Sequence, residues 1–296
     1  MLYNNLSSYL KGTYGQRLKK ICIDGHFTCP NRDGRCGKGG CIFCGERGAG
    51  EHIEERASIR EQVEAGLNSN PDSLFIAYFQ NFTNTYADIQ TLKSRYDEAL
   101  FDERIRVLSI GTRPDCINED IASLIASYKT RCDVWVELGL QTASDTTAEL
   151  INRGYKSEVF TEAVRILNKY SIPVVSHMMI GLPSEDDGDI HRTVEFLNSH
   201  KLFGLKIHSV YVMKGTRLAR LYDEGKYVPI TFDDYVRLAT YVITHVNPDL
   251  ILHRITGDCP DGMLAAPEWN KDKNAVICAI QAKLKHDGLY QGIYFK

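Results

Sequence analysis

The chain has 296 residues, 43% of them apolar, and a formal charge of −3 from 35 lysines and arginines against 38 aspartates and glutamates. That length suits one large α/β domain or two small ones, and the near-balanced charge gives no global nucleic-acid signature, although a local basic surface could still serve RNA. No apolar run approaches membrane-spanning length, the first residues lack a signal-peptide pattern, and nine cysteines in that setting point to a reducing, cytoplasmic compartment and to metal or catalytic use.

Strand-like apolar runs alternate with helix-period patterns, which predicts a parallel sheet of βα units. The first strand is predicted at 20–24 and feeds a cysteine-rich loop. A helix follows at 58–68, with Ile59, Val63 and Leu67 on one face. Further strands are predicted at 73–80, 106–111, 133–141, 173–181 and 205–213. Helices fit between them at 89–100, 119–128, 145–152, 158–170 and 187–200. Helical patterns at 217–224 and 233–247, a short apolar run at 250–255 and a last helix at 271–286 complete the chain. Six strands in this order describe an α/β partial (β/α)6 barrel over 20–215. A short N-terminal extension (1–19) precedes it, and a C-terminal helical extension (216–296) packs on it. In such barrels the chemistry sits at the carboxyl ends of the strands.

Cys29, Cys41 and Cys44 stand in the loop after the first strand. Three thiolates can hold three irons of a [4Fe-4S] cluster and leave the fourth open to a small chelating ligand. A structural zinc site is the alternative. It needs four N or S ligands, usually in knuckle-like pairs, whereas only Cys41 and Cys44 form a tight pair, with Cys29, Cys36 and His26 as loose additions. Cys36 competes with Cys29 as first ligand, but Gly34, Gly37, Gly39 and Gly40 around it describe a flexible spanning loop, so Cys36 is read as incidental. Cys22, Cys116, Cys132, Cys259 and Cys278 are read as plain, partly buried thiols.

The pair Cys41-Ile42-Phe43-Cys44 resembles the radical S-adenosylmethionine (SAM) superfamily. The long spacing back to Cys29 resembles its Elp3-like branch. The phrase Cys29-Pro30-Asn31-Arg32-Asp33-Gly34 resembles one bacterial family within that branch, the YhcC/YtqA-like (MnmL-like) proteins. The resemblance implies the radical SAM barrel, a [4Fe-4S] cluster on Cys29, Cys41 and Cys44, and SAM on the open iron. One electron from the cluster would split SAM into methionine and a 5′-deoxyadenosyl radical that takes hydrogen from the substrate. The resemblance also implies that Phe43 and the turn at Gly181 meet the adenine, and that Gln141 meets the ribose. Arg153 would grip the SAM carboxylate, although a helix-end arginine can equally serve backbone carbonyls. Where many relatives carry Gly-Gly-Glu for the SAM amine, this chain has Gln80, Thr83 and Asn84, and the choice among them stays open. Thr112-Arg113-Pro114-Asp115 looks Elp3-like, and Pro114 holds Arg113 extended at the barrel mouth.

Strand alternation puts Glu137, Gly139 and Gln141 on one face, and an acidic residue on an inner barrel face needs a cation, a hydrogen-bond partner or a cofactor. His177, Lys206 and His208 on the last two barrel strands, with Arg254, are candidates for the substrate cavity.

The family resemblance implies a tRNA substrate. The expected reaction converts a carboxymethylaminomethyl side chain at wobble-uridine C5 to aminomethyl, with a flavodoxin- or ferredoxin-type reductant, a methyltransferase acting downstream and no membrane partner. The chain ends soon after the barrel, without the acetyltransferase domain of Elp3, which argues against acetyl-CoA-dependent carboxymethylation. Arg17, Lys19 and Lys20, or Lys271, Lys273, Lys283 and Lys285, are candidate phosphate contacts. Two alternatives stay open: a radical SAM enzyme acting on a small metabolite or tetrapyrrole, and a zinc-stabilised RNA-binding module.

Overall fold

The computed structural model describes residues 2–48, 50, 53, 57–260 and 262–296. The elements run α1 (Leu6–Tyr14), β1 (Leu18–Ile23), α2 (Ile59–Ser69), β2 (Leu74–Phe79), α3 (Ile89–Ala99), β3 (Ile105–Thr112), α4 (Glu119–Ser127) and β4 (Asp133–Gln141). They continue α5 (Asp145–Leu150), α6 (Ser157–Lys169), β5 (Val174–Ile180), α7 (Asp187–Asn198), β6 (Gly204–Ser209) and β7 (Val212–Met213). The chain closes with α8 (Arg217–Asp223), α9 (Phe232–His245), β8 (Ile251–Arg254), β9 (Leu264–Ala266) and α10 (Lys273–His286). Among the described residues, no helix is long and apolar enough to cross a membrane.

Seven parallel strands form one curled half-barrel in the order β1-β2-β3-β4-β5-β6-β8. The partial barrel expected from the alternation is therefore present, with one strand more than the six predicted. The seventh, β8, comes from the short apolar run at 250–255 within the C-terminal extension, and its first two residues pair with Gly204 and Leu205 of β6. The predicted sixth strand also divides. It leaves the sheet after Ser209, and Val212–Met213 pairs antiparallel with β9 instead.

Alternation sorts each strand into two faces. On β4, Val134, Val136, Leu138 and Leu140 join the outer core beneath the helices. Trp135, Glu137, Gly139 and Gln141 face the barrel interior. On β2, Phe75, Ala77 and Phe79 pack outward and Ile76 and Tyr78 inward. Each large side chain buried this way contributes about 1.5–3 kcal/mol.

Helix α1 stoppers the amino-terminal end of the barrel. Asn5 caps it by accepting from the Ser8 N–H, and Gly15 ends it in the left-handed region at φ 73°. Leu6 and Leu10 then pack with Leu18, Ile76, Val107, Trp135 and Val175 of the strands. This helix lies within the stretch expected only to be an extension.

Candidate active site

The loop after β1 carries the cysteines, and its shape is set by hydrogen bonds to distant segments. Asn31 is fully buried, and its Nδ2 donates to the Asn152 carbonyl at 2.6 Å. Asn152 Nδ2 in turn donates to the Gly40 carbonyl at 2.7 Å. The Ile42 N–H donates to the Ile151 carbonyl and the Leu218 N–H to the Ile42 carbonyl. Arg32 donates to the carbonyls of Gly45 and Glu46. A Cβ on Gly37 would fall 2.0 Å from Asn31 Oδ1, so the loop needs glycine there.

Cys29, Cys41 and Cys44 all line one cavity of about 640 Å³ at the carboxyl ends of the strands. Cys36 is exposed and lies outside it, its Sγ 3.6 Å from Arg113 Nη2 and 3.8 Å from Asp115 Oδ2. Cys41 and Cys44 hydrogen-bond each other. That bond, aided by Arg32 against the effect of burial, brings the Cys44 thiol down to about 7. Among the described residues, no three histidine, cysteine or carboxylate side chains gather as a single metal ion requires. A cluster makes a different demand, because each thiolate takes a separate iron. Three sulfurs around a roomy cavity meet it.

The cavity wall runs through the expected strand ends. Phe43, Gln80, Thr83, Thr112, Arg113 and Gln141 all line it. The Thr83 hydroxyl is buried without a partner. Thr112 Oγ1 is 2.6 Å from Thr85 Oγ1. Arg113 is extended, at φ −93° and ψ 143°, and bonds Asp115 at 2.7 and 2.9 Å. Gln141 takes φ 62°, and its amide turns so that the NH2 donates to the Leu140 and Gly139 carbonyls.

Three expected contacts do not face this cavity. Arg153 is wholly buried; its Nε and Nη1 donate to the carbonyls of Tyr155, Leu140 and Thr142, its Nη2 lies 3.5 Å from Asp145 Oδ1, and it sits over the Tyr155 ring at 4.5 Å. It ties α5 to the end of β4. Asn84 Nδ2 donates to the carbonyls of Phe79 and Gly111, at 3.1 and 2.7 Å, and so ties β2 to β3. Gly181 borders a separate hollow, with its carbonyl accepting from Tyr227 Oη at 2.7 Å.

The cavity floor is a buried polar network. Glu137 accepts from Ser109 Oγ at 2.9 Å, from His177 Nε2 at 2.8 Å and from Lys206 Nζ. Trp135 Nε1 donates to the same Ser109 hydroxyl at 2.7 Å, and Lys206 lies over the Tyr78 ring at 4.5 Å. Burial favours a protonated Glu137, but Lys206 and His177 overcome it and hold the carboxyl well below its usual range. Burial, opposed by Glu137, brings Lys206 down to about 7. His177 and His208 are lowered chiefly by burial, with Lys206 and Arg254 respectively as the next cause. His177, His208 and Arg254 line the cavity, and Lys206 lies beneath it.

Cys22 and Cys259, expected to be plain thiols, also line the cavity, as do Tyr155 and Tyr211. Alternation along β1 places Cys22 inward; nothing in the local sequence around Cys259 shows that its loop folds over the mouth. The basic clusters divide as well. Lys20 turns toward the barrel interior, 5.3 Å over Tyr78. Lys273 borders the cavity and bonds Asp258 at 2.8 Å.

The chain matches the Radical SAM superfamily over residues 32–197 and the Radical_SAM C-terminal domain over 203–286. It is 36% identical to protein YtqA of Bacillus subtilis over 99% of this chain and 93% of that protein. Protein YhcC of Escherichia coli is 34% identical over 97% of this chain and 94% of its own length. The structure of Elp3 from the archaeon Methanocaldococcus infernus superposes with a TM-score of 0.71 at 16% identity, covering 93% of this chain and 64% of that one.

Proposed function

The chain belongs to the radical SAM superfamily, and from that premise we propose that it is an Elp3-like member that trims the carboxymethylaminomethyl side chain of a tRNA wobble uridine to aminomethyl. Proteins of this superfamily bind a [4Fe-4S] cluster and SAM. When bound, that pair supplies reductive cleavage of SAM and hydrogen-atom abstraction from an unactivated carbon.

The protein's own contribution is placement. Cys29, Cys41 and Cys44 would anchor the irons, on a loop that Asn31 and Asn152 hold in shape. Phe43 and Gln141 stand where SAM would lie, and of the three candidates for its amine only Gln80 and Thr83 reach the cavity. The substrate arm enters toward His177, His208 and Arg254. Helix α1 seals the barrel base and limits water.

The observation that carries the reading is the convergence of the three motif cysteines on one cavity at the strand ends. The choice of wobble uridine rests on the resemblance of the Cys-Pro-Asn-Arg-Asp-Gly phrase and is consistent with a fold shared with an archaeal Elp3. A flavodoxin- or ferredoxin-type protein would deliver the electron, and a methyltransferase would act on the product. The test is nucleoside analysis of tRNA from cells with and without the gene. Deletion should accumulate carboxymethylaminomethyluridine and remove aminomethyl-derived forms, and only a chain with Cys41 intact should restore them. An unchanged profile in a strain without a parallel pathway would overturn the tRNA reading and favour a small-metabolite substrate.

A further inference from the structure

The cavity and its floor hold more positive charge than they neutralise. Arg254, at the end of β8, borders the cavity with Asp258 at 3.7 Å, and Asp258 also bonds Lys273 at 2.8 Å. Beneath them Lys206 pairs with Glu137, whose oxygens are already taken by Ser109, His177 and Lys206 itself. Three cations thus share two carboxylates. Of the other basic groups, Arg113 is matched by Asp115, Arg32 stands beside the cysteines, and Lys20, which turns inward over Tyr78 and acts on Glu137, adds to the positive side without lining the cavity.

Hydrogen bonding tells the same story. His208 Nε2 is buried at the cavity with no partner, and its ring lies 5.4 Å from that of His177. His177 spends Nε2 on Glu137. A buried polar group without a partner and a cation without a counter-charge are both costly. A single planar anion would answer both.

We propose that Arg254, His208 and His177 form a subsite for one carboxylate group of the substrate, with the Lys206–Glu137 pair positioning His177 from below. A carboxylate answers that surplus, and the guanidinium fork suits its two oxygens. The proposal rests on the reading that this cavity receives the substrate, and it identifies the bound group as the carboxylate of the carboxymethylaminomethyl arm.

Calorimetry on the cluster-reconstituted, SAM-loaded protein tests it with two pairs of probes. The first pair is 5-carboxymethylaminomethyluridine against 5-aminomethyluridine; the second, lacking uridine, is N-benzylglycine against benzylamine. The acid of each pair should bind at least tenfold more tightly. Arg254→Gln should bring the ratio near one with iron content and SAM affinity unchanged, His208→Phe should reduce it, and Arg254→Lys should restore part of it. Discrimination within the benzyl pair alone supports the subsite and counts against the wobble-uridine reading. Absence of discrimination in both pairs, or its survival in both Arg254→Gln and His208→Phe, overturns the subsite.

Discussion

The mouth and the floor of this barrel are built in opposite ways. At the mouth, irregular backbone carries the cysteines, and side chains such as Asn31, Arg32 and Asn152 hydrogen-bond to carbonyls to hold it. At the floor, regular strands fix the backbone, and side chains from four strands bond one another around Glu137. The mouth therefore depends on which groups bind iron, and the floor on whether every buried charge has its partner. Substitutions in the two regions should fail differently.

The sharpest separation comes from the cysteines. Cys29→Ala, Cys41→Ala or Cys44→Ala should each abolish the brown chromophore and SAM cleavage, because three anchors leave no spare. Cys36→Ala, outside the cavity, should keep both. Iron and sulfide analysis with SAM-cleavage assays checks this, and loss of the cluster in Cys36→Ala would redraw the mouth.

The floor should respond in stability. Glu137→Ala strands Lys206 in the interior and should cost about 3–5 kcal/mol, read by denaturant unfolding; Glu137→Ala with Lys206→Met should recover much of it. The pH dependence has a definite sign. Glu137 is held below its unfolded value of 4.5, so the unfolded chain takes up this proton first on acidification. Its contribution is present above that value and is lost as pH falls toward the folded one. Glu137→Gln should flatten this part of the acid limb.

A smaller effect separates scaffold from ligand contact. Arg153→Ala should cost about 1.5–3 kcal/mol in stability, since it removes charged hydrogen bonds to buried carbonyls. SAM affinity of the reconstituted variant should stay unchanged. A selective loss of SAM binding would move Arg153 back to the cavity.

Most of the architecture was legible in the sequence because periodicity reports which face is buried. Strand β4 begins and ends where its alternation predicts, and the pattern alone put Glu137, Gly139 and Gln141 inside. Helix α1 was missed, although Asn5 as its cap, Leu6 and Leu10 four apart and Gly15 at its end were there to be read. The remainder depends on partners remote along the chain. Arg153 and Asn84 look like ligand-binding groups until the carbonyls they satisfy are seen. The apolar run at 250–255 was visible, but its place in the sheet as β8 is set by pairing with β6, 47 residues earlier in the chain for Gly204 and Ile251.

The clamps on the cysteine loop also set an order of assembly. Asn31 finds its partner 121 residues further along the chain, and Gly40 meets Arg217 after 177. A nascent chain that has just exposed its cysteines has neither anchor. The loop takes its shape only once α5 and the start of α8 have emerged and docked, late in synthesis. Iron loading is in this sense a final inspection: a chain truncated or misfolded before Arg217 presents thiols without the geometry to keep what it is handed.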